Sequence, residues 1–184
     1  MVKFRGFIAI DIDVNKNLVE FASEIKKTQA DLKLVEPENI HITIKFLGDT
    51  DEEKIEEIKE IIKNSVEEIE PFEIKLKGSG VFPNKNYMKV LWIGIEKADK
   101  IREIAKKIDK RLTKIGFEPE KRDFSAHLTI ARIKSPRNKD KLIGIIEKYK
   151  EFEFESINVD SIKLKKSDLT PKGPIYTTLV DVKL

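Results

Sequence analysis

The chain has no cysteine, which excludes disulfides, thiolate nucleophiles and cysteine-ligated zinc together. It also lacks any stretch near the roughly 18 unbroken apolar residues that a membrane span needs. Neither sign of charge dominates: 36 Lys+Arg against 33 Asp+Glu leave +3, so a polycation that coats nucleic acid is disfavoured and only a local basic cleft stays open. Gly78-Ser79-Gly80 is not followed by Lys-Ser/Thr, so it is a loop or bulge and no P-loop. The acidic run Asp51–Glu57 reads as a helix start with an exposed face. There is one tryptophan, and there are only two histidines, His41 and His127, without carboxylates at ligand spacing, so no metal site is expected. The opening Met1-Val2-Lys3-Phe4-Arg5-Gly6 runs straight into an alternating segment with no signal-peptide layout, and the expected location is cytoplasmic. The Lys, Glu and Ile richness resembles that of proteins from hot environments.

At 184 residues the chain can build one sizeable core, or two small lobes that share one. Its two halves read alike. Lys3–Asp13 alternates as a strand, and Leu18, Phe21, Ala22, Ile25, Gln29 and Leu32 follow at helical spacing before a strand at Asn39–Leu47. In the second half Tyr87–Ile95 is the strand. Ile101, Ile104, Ala105, Ile108, Leu112 and Ile115 mark its helix, with Gly116 as the stop, and Phe124–Ile133 is the next strand. Thr50-Asp51-Glu52-Glu53 is a capping box for a helix with Ile55, Ile58, Ile62, Val66 and Ile69, and Asn138 can cap one with Leu142, Ile145, Ile146 and Tyr149. Strands at Phe72–Lys77, Phe154–Lys165 and Ile175–Leu184 complete the pattern, and Pro83-Asn84-Lys85-Asn86 is a turn. The expected fold is α+β: one domain over 1–184, with two pseudo-symmetric β-α-β-α-β lobes whose antiparallel sheets face a central cleft and whose helices lie outside. The pseudo-repeats span about 1–82 and 87–165, and a C-terminal strand covers 175–184.

Both histidines open the same tetrapeptide pattern, His41-Ile-Thr-Ile and His127-Leu-Thr-Ile, at matching places: 31 residues separate Ile10 from His41, and 32 separate Ile95 from His127. Strand side chains alternate between faces. Ile40, Ile42, Ile44 and Phe46 therefore share one face and His41, Thr43 and Lys45 the other; Ala126, Leu128 and Ile130 likewise oppose Ser125, His127 and Thr129. A lone His-x-Thr is most often a satisfied polar pair. Thr fills only 8 of 184 positions, however, so its chance occurrence two residues after both histidines is roughly 0.2%. Two imidazoles titrating near neutrality, each beside a hydroxyl, suit in-line acid–base chemistry at a phosphate.

These motifs, one per pseudo-repeat, resemble the two-histidine (2H) phosphoesterase superfamily. Pro37-Glu38-Asn39-Ile40-His41-Ile42-Thr43-Ile44-Lys45-Phe46-Leu47-Gly48, Phe124-Ser125-Ala126-His127-Leu128-Thr129-Ile130-Ala131-Arg132 and the tail Lys166–Tyr176 are similar to the signatures of the archaeal and bacterial RNA 2',3'-cyclic phosphodiesterases, long labelled 2'-5' RNA ligases. The resemblance runs nearly end to end. It implies metal-independent, cofactor-free hydrolysis of 2',3'-cyclic phosphate RNA ends to a 2'-phosphate, with His41 as general acid and His127 as general base. It further implies that Thr43 and Thr129 bind phosphate oxygens, that Arg132 reaches the phosphate and that Phe46 stacks on a base. The implied partner is RNA with cyclic phosphate ends, tRNA halves included, and the expected state is a monomer. Ligation of 2'-5' ends by the reverse reaction and a non-catalytic RNA-binding module are the competing readings.

One tension stands out. Phe46 and Arg132 each lie five residues after their histidine, so an ideal strand would turn both away from it. Either both strands bulge or end early, or these residues are structural. Arg5, Lys45, Lys89, Lys166 and Tyr176 are weaker candidates for an RNA groove, and Trp92, which aligns with Phe7, is expected in the core.

Overall fold

A computed structural model describes all 184 residues. Nine strands and four helices make up the chain. They are β1 (Lys3–Asp11), α1 (Lys16–Lys27), β2 (Leu32–Leu34), β3 (His41–Asp51), α2 (Ile55–Val66), β4 (Phe72–Asn84), β5 (Tyr87–Glu96), α3 (Asp99–Thr113), β6 (His127–Ile133), α4 (Lys139–Lys148), β7 (Glu153–Val159), β8 (Ser161–Thr170) and β9 (Gly173–Lys183). They form a four-stranded sheet, β3-β1-β8-β9, and a five-stranded sheet, β2-β6-β5-β4-β7, and every strand pair is antiparallel. No helix is long and apolar enough to cross a membrane.

The helices cover the outer faces. α2 packs on β8 and β9 and α3 on β3, whereas α1 packs on β7 and α4 on β4. Each helix turns one apolar stripe inward, as Ile101, Ile104, Ala105, Ile108 and Leu112 do in α3. Phe21 of α1 is fully buried, with its ring 4.6 Å from Tyr149 and 5.3 Å from Phe154. The 39 buried residues of the core form one connected cluster drawn from both sheets and all four helices, so neither sheet has a core of its own.

Several boundaries differ from the sequence-based expectation. α1 ends at Lys27, not near Leu32, because Gln29 takes a left-handed turn and the Thr28 hydroxyl caps the Ile25 carbonyl at 2.6 Å. The freed Leu32–Leu34 pairs with β6. Thr50 caps no helix. It is the tenth residue of β3, its hydroxyl donates to the Gly48 carbonyl, and α2 starts only after a 3-10 turn at Glu52–Lys54. Asn138 does precede α4, but its side chain donates to the Thr28 and Gln29 carbonyls and leaves the helix uncapped. Gly116, with φ +95, follows α3 as expected.

The largest difference lies at Phe154–Lys165. It is two strands, with β7 in the five-stranded sheet, Asp160 between, and β8 in the other sheet. The apolar alternation changes phase there, from Ile157 and Val159 to Ile162 and Leu164, which a single flat strand cannot accommodate. Each half of the sequence thereby supplies strands to both sheets. β8 lies beside β1, and β4 lies between β5 and β7.

Candidate active site

His41 and His127 are the first residues of β3 and β6, and these two strands touch where the sheets meet. The two histidines are held by the same local device. His41 Nδ1 lies 2.7 Å from the Asn39 carbonyl and His127 Nδ1 lies 2.8 Å from the Ser125 carbonyl, in each case the residue two before. A carbonyl can only accept, so Nδ1 carries the proton and Nε2 is the free, reactive nitrogen of the neutral ring. His41 Nε2 is 2.9 Å from Thr43 Oγ1, whose hydroxyl donates to it. Aromatic rings wall both imidazoles. Phe7 lies 5.1 Å and Tyr176 5.4 Å from the His41 ring, and Phe82 lies 5.1 Å from the His127 ring.

Both strands bulge, at the same offset. Ile8 pairs with Lys45 and Ala9 with Thr43, so Ile44 is an extra residue of β3, and a second shift beyond Phe46 leaves Leu47 unpaired. Leu91 pairs with Ala131 and Trp92 with Thr129, so Ile130 is the extra residue of β6. The bulges at Ile44 and Ile130 each fall three residues after the histidine and reverse the alternation beyond it. Phe46 and Arg132 consequently rejoin the face of their histidine. Phe46 is 66% exposed, with its ring 6.4 Å from Phe7. Arg132 is exposed, and its positive charge reaches both His41 and Tyr176.

The same bulge turns Lys45 away from the cleft, contrary to the strict alternation drawn from the sequence. Its buried ammonium lies 2.6 Å from Asp109 of α3, 2.8 Å from the Glu118 carbonyl and 3.4 Å from Glu120, so Lys45 does not face the histidine cleft. Trp92 is also misplaced by the sequence reading. It opposes Thr129 on the histidine face, half-exposed, with its ring over Gly80 and its Nε1 buried without a partner. Of the weaker candidates, Tyr176 reaches His41. Lys166 pairs with Asp168 and Lys89 lies over the Tyr87 ring, while the charge of Arg5 is felt at Tyr176.

The sequence reading missed a charged cluster. Asp11 stands opposite His41 in the β1–β3 register and accepts from Lys165 at 2.6 Å and Lys163 at 3.0 Å. The alternation Lys163-Leu164-Lys165 was the available signal, since its charged members share a face opposite the apolar Leu164. Burial alone would raise the Asp11 carboxyl, but hydrogen bonds and charge from the two lysines outweigh it and hold it below the usual range. Burial is the main influence pushing the His41 imidazole below its ordinary value. The Asn39 carbonyl and Asp11 oppose that shift, and the charges of Lys165 and Arg132 reinforce it. Burial raises the Tyr176 phenol against the pull of Arg132 and Arg5.

Two histidines presenting Nε2 from touching strands, with a threonine two residues beyond each, are the layout of a two-histidine phosphoesterase. Comparison with known proteins narrows the class. The chain belongs to the 2'-5' RNA ligase-like family of 2H phosphoesterases: residues 7–184 match the AKAP7 2'5' RNA ligase-like domain. It is 41% identical to the RNA 2',3'-cyclic phosphodiesterase of Methanothermobacter thermautotrophicus, over 97% of either chain. It is 46% identical to the protein of the same name from Methanocaldococcus jannaschii, over 95% of this chain and 98% of that one. The crystal structure of a Thermus thermophilus protein superposes with a TM-score of 0.81 at 25% identity, covering 98% of this chain and 97% of that one. LigT of E. coli complexed with 3'-AMP shares the fold, with a TM-score of 0.72 at 20% identity over 100% of this chain and 99% of LigT.

Proposed function

We propose that this protein is an RNA 2',3'-cyclic phosphodiesterase that opens the cyclic phosphate to a 2'-phosphate. The observation that carries the proposal is the matched pair of histidines, each with Nδ1 committed to a backbone carbonyl and Nε2 left to react. His127 Nε2 takes a proton from water as the water oxygen bonds to phosphorus. The bond from phosphorus to the ribose 3'-oxygen breaks, and His41 Nε2 delivers its proton to that oxygen. Thr43 and Thr129 donate to the non-bridging phosphate oxygens, and the Arg132 guanidinium balances their charge. The Thr43 hydroxyl must swing from His41 Nε2 to the phosphate, which frees that nitrogen for the proton it transfers. Phe46, exposed beside Phe7, offers its face to the terminal base.

Attack by a ribose hydroxyl instead of water would make the same site a 2'-5' ligase. Water at roughly 55 M dominates unless a second RNA end is held in place, so hydrolysis is the assigned direction. The assigned setting is a cytoplasmic monomer acting on RNA ends, tRNA halves among them, and we assign the two histidine strands to an internal duplication.

The test is incubation with a 2',3'-cyclic-ended oligonucleotide in EDTA, followed by identification of the product end. His41→Ala and His127→Ala should each lower kcat by roughly 10²–10⁴. No turnover by the intact protein, or full activity in either variant, overturns the proposal. A 3'-phosphate product would exchange the two histidine roles. RNA affinity without turnover would instead favour a binding module.

A further inference from the structure

The Asp11–Lys163–Lys165 cluster has no part in the chemistry above, yet it is built against His41. Lys163 and Lys165 alternate on β8 opposite Ala9 and Phe7, which places both ammoniums on the histidine face while Leu164 enters the core. Lys165 is only 6% exposed, and its ammonium is clamped by Asp11, the residue directly across from His41. Lysine is rarely buried to this degree without a carboxylate, and here the carboxylate is shared between two ammoniums. The charged and titratable groups on the face of His41 are therefore Asp11 from β1, Arg132 from β6, Lys163 and Lys165 from β8 and Tyr176 from β9. Lys45, on its own strand, is engaged with α3.

We infer that Lys165, held by Asp11, is a positioning residue that keeps His41 uncharged in the empty site and lets it take up its proton when an anionic phosphate arrives. The inference rests on reading the cleft as a phosphate site. Burial is the larger cause of the ring's low proton affinity, and the charges of Lys165 and Arg132 add to it against that of Asp11, which Lys163 shares. A bound phosphate adds negative charge beside Lys165 and Arg132, and the opposition to an imidazolium falls. By linkage, protonated His41 and bound phosphate then favour each other. The acid of the reaction is loaded by its own substrate, which keeps the cleft without phosphate from carrying one more fixed cation.

The chain has only two histidines, so its imidazole Cε1–H resonances give two NMR titration curves, assigned with His127→Asn. Inorganic phosphate is the probe. In the wild type, saturating phosphate should raise the His41 midpoint by about half a pH unit or more. Without phosphate, Lys165→Met should raise that midpoint and Asp11→Asn should lower it, while Lys165→Arg should leave it near the wild-type value. The alkaline limb of kcat/KM should move to higher pH in Lys165→Met. Shifts of the same sign in Lys165→Met and Asp11→Asn, or no response to phosphate, overturn the inference. A structural role alone would lower the urea midpoint without opposing titration shifts, and Asp11→Asn with Lys165→Arg still decides the matter if Lys165→Met folds poorly. The titrations are read without turnover, so failure of the cyclic-phosphate assay would remain a separate result.

Discussion

Phe46 is an exposed aromatic whose neighbour Phe7 is 3% exposed, so the two rings answer to different forces. Removing Phe46 takes little apolar area out of the folded state. Phe46→Ala should change unfolding free energy by no more than about 0.5 kcal/mol, while KM for a cyclic-ended oligonucleotide rises severalfold. A large loss in a urea titration would make Phe46 a packing residue instead. Arg132→Lys retains the charge but loses the planar fork, and kcat/KM should fall about tenfold or more with unchanged circular dichroism. His41 carries a pH signature of its own. Its folded-state value lies below the 6.5 of an exposed histidine, so between those two values the unfolded chain binds more protons than the native one. The native state is therefore favoured above 6.5 and loses stability as pH falls from there through the folded value. Urea midpoints measured from about pH 7.5 down to about 5.5 should decline in the wild type and decline less in His41→Asn. The histidines and threonines were legible because rare residues recur in a repeated frame. Asp11, Lys163 and Lys165 were not, because each is one charged residue among many until pairing across three strands brings them together.

At the level of elements, the helices could be read from their apolar stripes, whereas the bulges left no comparable mark. Ile44 and Ile130 are ordinary β-branched residues, and only the cross-strand register reveals them as unpaired. Their effect is nonetheless decisive, because one extra residue puts Phe46 into the cleft and Lys45 against α3. Lys45 then ties β3 to the segment that leads into β6, through Asp109, Glu120 and the Glu118 carbonyl. Lys45→Met would leave those acceptors without their cation. A loss of about 1–3 kcal/mol in urea unfolding, with an unchanged m-value, is the expected outcome. Wild-type stability in that variant would mean that the segment is held by other contacts. The end of α1 and the break at Asp160 were both obscured by apolar residues that fit a longer element equally well. Left-handed Gln29 and the phase change after Val159 decide them.

Across the whole molecule, strand order depends on which distant segments pair, and alternation alone does not encode that. The two histidine strands were expected on facing sheets, and they are there. The crossing of β2 and β4, and of β8 and β9, into the sheet of the opposite half is not readable from the sequence. This crossing makes the protein an interlocked pair rather than two modules in series. Cut at the Lys85–Asn86 turn, the N-terminal piece would hold β4 with neither of its neighbours, and the C-terminal piece would hold β8 with no β1 to rest on. Each piece alone should be unfolded by circular dichroism. Mixed, they should regain both structure and activity, with a yield that depends on the concentration of each. A half-length chain of this pattern could complete its sheets only by clasping a second copy, and such a two-copy assembly would already bring two histidine strands together.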